Sequence, residues 1–476
     1  MIHSENEPRI FHFVLLALGA AVLLTFLGVR VLNPTEARIG LAAQQAFMTN
    51  RSVADVISEM QFQIYPLPAW IIEALGYVTG GVREWTVRLP GCLALIGIGL
   101  IAFETARRGY GKHAGAVAFA VVCLSIPGIQ AARGSGAAPV SALFISAAWF
   151  TWFILGWQRH RWIYAWCSSL LMVFAAGLAM GYIAFLYFYF PLFMLRRPLR
   201  AWQQIASMSH CIVLAVFLGL FSHWYFWIHD ATLPLVALKN AFGLWPTPQG
   251  YLARLVMFPL QCSVLLVPWI FFLWPAYCAA FSHLERHRRF IQFLRSIILP
   301  VFLAAWFIPA FSPGHLLPLL APVAILCGVH YEILVRRHKG RFQKLARTLA
   351  VVALAVAIDV VLILTFHLSW LMVIDNLSSA RAWAGLMLAL SGMILLSAFL
   401  KTQESHPVWL QTAIPMALLT LFLAVGLLPI YAILTGHARF SGTNLARHIP
   451  PEEPVYQLGA PIAPGILFYL NRPVYR

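Results

Sequence analysis

Residues Tyr65 to Ala106 read YPLPAWIIEALGYVTGGVREWTVRLPGCLALIGIGLIAFETA. Two kinds of helix meet in this stretch. From Pro66 to Val78 apolar residues recur at three- and four-residue spacing, the pattern of a helix lying along a membrane surface with one face in it. After Gly80 and Gly81 and the charged pair Arg83 and Glu84, the run from 87 to 106 is long and apolar enough to cross a hydrocarbon core about 30 Å thick.

The same alternation of long apolar runs and short polar joints fills the 476 residues. A chain that is 61% apolar and only 10% charged is not an ordinary soluble globule, in which charged residues come to about a quarter. In lipid only helices and closed barrels satisfy every backbone group, and runs without period-two alternation select helices. The expected spans are 10–31, 87–106, 113–128, 139–157, 163–180, 182–195, 209–228, 256–279, 297–311, 316–335, 348–372, 382–400 and 409–434. The fold class is therefore an all-α polytopic membrane protein of about thirteen transmembrane helices. The pair at 163–195 reads either as two helices or as one helix kinked near Gly181. No small-residue cleavage site follows the first apolar run, which reads as an uncleaved helix.

Seven cysteines, Cys92, Cys123, Cys167, Cys211, Cys262, Cys278 and Cys327, all fall in apolar stretches with no CxxC spacing, as small core residues do. The formal charge of +17 does not signal nucleic acid, because the basic residues form short clusters between apolar segments. With the N-terminus in the cytoplasm, Arg107, Arg108, Lys112, Arg159, Arg161, Arg196, Arg197, Arg200, Arg286, Arg288, Arg289, Arg295 and the cluster from Arg336 to Arg347 all fall on the cytoplasmic side. That is the positive-inside bias. The expected localisation is a bacterial inner membrane, with the C-terminus extracytoplasmic.

On that reading residues 1–435 form a transmembrane domain and 436–476 a short extracytoplasmic tail, in which PVYQLG is a strand candidate. The long loops 32–86 and 229–255 lie on the extracytoplasmic side, where loops of such length carry function. The first has two surface-helix candidates, Thr35 to Met48 and Pro66 to Val78. It also collects Glu36, Arg38, Arg51, Asp55, Glu59, Glu73, Arg83, Glu84 and Arg88, a concentration of charge in a chain with 16 acidic residues. Such charges are either simply solvated or line a cavity that opens outward.

The segment from Tyr65 to Gly91 resembles the KPPLYYWLxxLxFxLFGVxEFxxRLPS stretch of membrane glycosyltransferases that use polyprenyl-phosphate sugars, matching it at Gly81, Val82, Glu84, Arg88, Leu89 and Pro90 without a gap. These are the relatives of protein O-mannosyltransferases and of the lipid A aminoarabinose transferase, with the fold called GT-C. NPTEARIG, ending at Gly40, resembles the family's DPDEARYA motif, and FSPGHLLPLLAPVAIL, from Phe311, resembles FSxxKxxHYLLPLLPALAL. The tail's EEPVYQLG and LFYLNRPV resemble the start of the family's extracytoplasmic domain.

The resemblance implies that an acceptor hydroxyl or phosphate attacks the sugar's anomeric carbon, that a carboxylate takes the proton, and that cations hold the departing phosphate. The residues depart from this pattern. The family's two aspartates fall on Thr35 and Ala138, the lysine of its KPP motif on Tyr65, and the lysine of the late motif is lost, leaving His315. Arg38 keeps the phosphate-facing arginine of the first motif, and Arg254 is a looser candidate whose fork suits phosphate oxygens. Arg88 reads as a phosphate ligand or as an anchor near the start of the second helix. For the missing base the substitutes are Glu36, one residue from the lost aspartate, or Asp55 with Glu59 one turn on. His315 is a candidate proton carrier or anion ligand. His210 and His367 read as packed polar residues, and the run from Tyr182 to Phe193 as packed or lipid-facing wall.

Three functions compete. The first is a transferase that moves a sugar from a polyprenyl-phosphate donor to a lipid, glycan or protein acceptor. A catalytically silent relative that binds polyprenyl phosphate or a glycolipid is the second. The third, a secondary transporter, rests on Asp359, the acid within AVAIDVVLIL. The expected partners are that donor, one such acceptor and membrane lipids, with no nucleic acid. No motif fixes a cofactor; a divalent metal is compatible with the resemblance.

Overall fold

The computed structural model describes residues 9–24, 27, 32–60, 65–132, 134, 136–195, 201–228, 248–278, 285–309, 311–366, 377–399, 414–423, 455–456, 464–470 and 474–475. Helix α1 (Arg9–Leu24) precedes three helices of the first loop, α2 (Pro34–Thr49), α3 (Val53–Glu59) and α4 (Pro66–Thr79). The bundle continues with α5 (Glu84–Tyr110), α6 (Lys112–Leu124), α7 (Ile126–Ala132), α8 (Ala137–Thr151), α9 (Trp162–Met180), α10 (Ile183–Met194), α11 (Ala201–Ile205) and α12 (Met208–Ile228). A π-helical stretch, Trp152–Gln158, extends α8. Next come α13 (Pro248–Leu265), α14 (Ile270–Leu273) running into a 3₁₀ turn at Trp274–Tyr277, and α15 (Arg288–Phe307). A 3₁₀ segment, Pro313–Leu319, leads into α16 (Leu320–Phe366), which is kinked at His338. Helices α17 (Leu377–Phe399) and α18 (Ile414–Leu423) and a short tail helix α19 (Pro464–Leu470) complete the set.

Among the described residues, five helices are long and apolar enough to cross a membrane, or seven if two sharply bent pairs each count as one span. The expected count of thirteen is therefore not reached within them. The spans expected at 348–372 and 409–434 run into residues outside the described set, and so does His367. The two stretches of the first loop expected to be helical form α2 and α4, with the seven-residue α3 between them. At 163–195 the chain forms two helices. Gly181 takes φ +74°, where an L side chain is strained, and an added Cβ would also strike the Tyr65 ring.

Local chemistry starts each loop helix. In α2, Asn33 and Glu36 form a reciprocal capping box: the Asn33 side chain accepts the Glu36 amide, and Glu36 accepts the Asn33 amide, both at 2.8 Å. Proline at the first positions of α2 and α4 fixes φ where no amide donor is needed. The main core packs α5, α6, α8, α9, α10 and α16 around buried Phe119, Trp149, Trp152 and Trp166. Helix α6 is buried from Ala114 through Leu124, and its small residues let α16 approach so closely that Gly328 meets the Ala114 carbonyl.

A second, smaller core joins α2, α3 and α4 to α19. Phe468 of the tail packs over Gly40, and the Tyr469 hydroxyl accepts the Leu32 amide at 2.9 Å. Val455 and Tyr456 pair in parallel with Val474 and Tyr475, so the strand expected in PVYQLG forms, two residues long. Cys92, Cys123 and Cys327 are buried as expected, whereas Cys167 and Cys211 are exposed on their helices; every cysteine is free.

Candidate functional site

The start of α2 organises one edge of the site. Glu36 is 1% exposed and its carboxylate is gripped by Arg88 of α5, Nε to Oε1 at 3.1 Å and Nη2 to Oε2 at 3.2 Å. Arg88 Nη1 also donates to the Leu27 carbonyl at 2.5 Å, so one guanidinium ties together the exit of α1, the start of α2 and the start of α5. A two-point guanidinium–carboxylate pair is the strongest geometry this chemistry offers. Breaking such a buried pair by removing one partner costs about 3–5 kcal/mol.

Thr35, one residue earlier, lines a cavity of about 910 Å³. Its walls come from α7 (Gln130), α8 (Ala138, Ser141), α13 (Cys262, Ser263), α15 (Phe302) and the 3₁₀ segment from Ser312. Thr35, Ala138 and His315, which hold three positions where the resemblance places charged residues, thus converge on one space. None of the described lining residues is Asp, Glu, Lys or Arg.

His315 is held by its own turn. Its Nδ1 accepts the Ser312 amide at 3.1 Å and lies 2.9 Å from the Ser312 hydroxyl. An amide can only donate, so Nδ1 carries no proton and the neutral ring bears it on Nε2. The imidazole is then a hydrogen-bond donor through Nε2, not a base. Its backbone carbonyl accepts the Tyr187 hydroxyl at 2.6 Å, and its ring packs edge-on to Phe311. Tyr187 was visible in sequence only as one member of an aromatic run. Its buried position with a single polar tip is what a tyrosine needs to pin a neighbouring turn.

Arg254, on α13, donates through Nη2 to the carbonyls of Ala305, Ile308 and Phe311 at 2.9, 2.9 and 2.6 Å, closing the end of α15. Its Nε is buried with no hydrogen-bond partner among the described residues. The residue lines a smaller recess of about 360 Å³ that shares Ser312 and Pro313 with the main cavity.

The other candidates lie apart. Arg38 is exposed on α2, one turn beyond Thr35, and Asp55 is exposed on α3. Tyr65 starts α4 and packs against Gly181. Among the described residues no group of three or more His, Cys, Asp or Glu side chains is placed to hold a metal. Asp359 is exposed on α16, and His210 is buried between the Tyr189 hydroxyl at 2.7 Å and the Ile205 carbonyl at 2.6 Å. The uncharged lining groups, among them Gln130, Ser141 and Ser263, were missed in sequence because nothing in their spacing marks them.

Residues 65–227 match the family model described as dolichyl-phosphate-mannose-protein mannosyltransferase. Among curated proteins none matches the chain. The crystal structure of ArnT from Cupriavidus metallidurans bound to undecaprenyl phosphate is similar, with a TM-score of 0.68 and 18% identity over 98% of this chain and 86% of that one. The apo state of that protein is similar at 0.67 and 19%, over 98% and 85%.

Proposed function

We propose that this chain, an integral membrane protein with the GT-C fold, binds a polyprenyl-phosphate sugar in the cavity behind Thr35 and transfers the sugar to a lipid, glycan or protein acceptor on the extracytoplasmic face. The observation that carries this is the convergence of Thr35, Ala138 and His315 on one large, mainly apolar cavity, in a fold shared with a protein crystallised with undecaprenyl phosphate. The positive-inside charge pattern supports the assignment of faces. An isoprenoid chain suits the apolar walls, and a phosphate suits the rim, where Arg254 lines the adjoining recess and Arg38 follows Thr35 by one helical turn.

In transfer, the bond between the anomeric carbon and the phosphate oxygen breaks as the acceptor oxygen bonds to that carbon. The departing phosphate gathers negative charge, which His315 Nε2–H and the two arginines stabilise. A hydroxyl acceptor also gives up a proton. Glu36 would have to leave Arg88 to receive it, so we assign Glu36 and Arg88 to anchoring; the proton passes to water, with the exposed Asp55 carboxylate on the neighbouring helix as the base that takes it up.

The neutral lining favours a second reading, a relative that binds polyprenyl phosphate or a glycolipid without turning it over. One experiment separates the two. Purified protein in nanodiscs is given a radiolabelled polyprenyl-phosphate hexose together with membrane extract as acceptor. Transfer of label that is lost in Arg254→Ala supports the transferase. Binding without transfer supports the silent relative, and no binding removes both.

A further inference from the structure

Three polar side chains meet in the core about 33 Å along α5 from Arg88, at the end where the Tyr110 hydroxyl accepts the His287 amide at 3.1 Å. The side chains of Glu285 and His330 are fully buried, and that of Arg295 is 22% exposed. Arg295 Nη2 donates to Glu285 Oε1. His330 Nδ1 lies 2.9 Å from the Leu326 carbonyl. That oxygen can only accept, so the ring proton sits on Nδ1 and Nε2 presents a lone pair. Nε2 faces Glu285 Oε1 at 3.6 Å, too far for a hydrogen bond. Glu285 Oε2 and His330 Nε2 are both buried with no hydrogen-bond partner among the described residues. Two adjacent side chains therefore each present an acceptor that lacks a donor, and one proton on either side chain would let it donate to the other once the carboxyl turns.

We propose that Glu285 and His330 form a proton-binding site: a proton taken up by the carboxyl is donated to His330 Nε2 after a small turn of the carboxyl that leaves its other oxygen on Arg295, fastening the entry of α15 to α16. The site belongs to neither reading of the cavity, but the two helices connect it to that space. Ile298, Leu299 and Phe302 of α15 and Leu320 and Val323 of α16 line the cavity, so proton uptake at one end sets how firmly its walls are held at the other.

The surroundings favour uptake at the carboxyl. Burial pushes Glu285 above the usual carboxylate range, and Arg295 and Arg288 only partly oppose it. Among the described residues, the other ionisable groups within electrostatic reach of the cluster include Tyr110 of α5, Arg286 beside Glu285, Tyr277 of the 3₁₀ turn and Cys327 of α16. A folded-state pKa above the unfolded value means that stability is gained as pH falls through it and lost as pH rises.

Glu285→Gln tests this, because the amide N–H can donate to His330 Nε2 while the amide oxygen accepts Arg295. The thermal midpoint of the wild type in nanodiscs should rise between about pH 8 and about pH 5, and that of E285Q should stay at the acidic wild-type value throughout. An E285Q chain that keeps the wild-type slope overturns the proposal. One that fails to accumulate also counts against it, since the amide reproduces the protonated form. Infrared spectra of the wild type give an independent reading. A protonated-carboxyl band that grows on acidification and shifts in His330→Phe is expected, and its absence, or indifference to His330→Phe, overturns the assignment.

Discussion

Thr35 and Glu36 are neighbours in sequence with opposite surroundings. Thr35 opens on a large cavity whose described lining carries no charge, whereas Glu36 is sealed against Arg88. One step along a helix turns a side chain by about 100°, and that turn separates ligand space from scaffold. At this edge the charge goes into fastening α2 to α5, and the cavity is left with uncharged groups.

The sharpest way to break this contrast is to remove one half of the pair. Glu36→Ala or Arg88→Leu alone should cost about 3–5 kcal/mol, because the partner is left charged and buried. Replacing both by apolar residues should cost less than either single change. Thermal unfolding in detergent reads the difference. A Glu36→Ala chain of undiminished stability that had lost sugar transfer would move Glu36 to the ligand side.

Next in size is the reverse experiment, putting charge into the neutral wall. Ala138→Asp should weaken polyprenyl-phosphate binding about tenfold or more, each tenfold corresponding to about 1.4 kcal/mol, through repulsion in a poorly hydrated space. Stability should change less than in Glu36→Ala. Tighter binding in the variant would show that the phosphate does not come near this wall.

His315 follows, with a smaller effect. His315→Phe should weaken phosphate-lipid binding roughly five- to tenfold, the worth of one hydrogen bond of ordinary net strength, about 1 kcal/mol. His315→Gln, whose amide still offers a donor, should recover part of the loss. Equal loss in both would assign His315 to holding its own turn through Ser312 rather than to the ligand.

How much of this could be read in the sequence follows from which forces act locally. Helix class, the helices of the first loop and the break near Gly181 were legible because apolar spacing, proline and glycine act within a few residues. The convergence of Thr35, Ala138 and His315 was implied by motif positions that lie far apart in the chain. The direction in which Glu36 points was not legible, because it is set by a partner 52 residues away. Arg254 shows the same limit: its type fits phosphate, but only the fold reveals that one of its nitrogens already serves three carbonyls. Glu285 and His330 left no sequence signal, since a buried polar pair between a helix and the approach to another has no spacing of its own.

The smallest effect lies on α4, on the same loop as the Glu36 anchor. Glu73 is half-buried there, and burial raises its carboxyl above the usual range. A raised carboxylate favours the folded state as pH falls, so this group should add a slight gain in stability on acidification through the carboxylate range, lost again as pH rises through its folded pKa. Glu73→Gln should flatten that gain and leave lipid binding unchanged. Glu36→Gln should instead destabilise the fold at neutral pH, because the charge that Arg88 pairs with is gone. If the two variants gave the same pH profile, the distinction between a carboxylate that is only shielded and one that is paired would fail at the loop where it ought to be plainest.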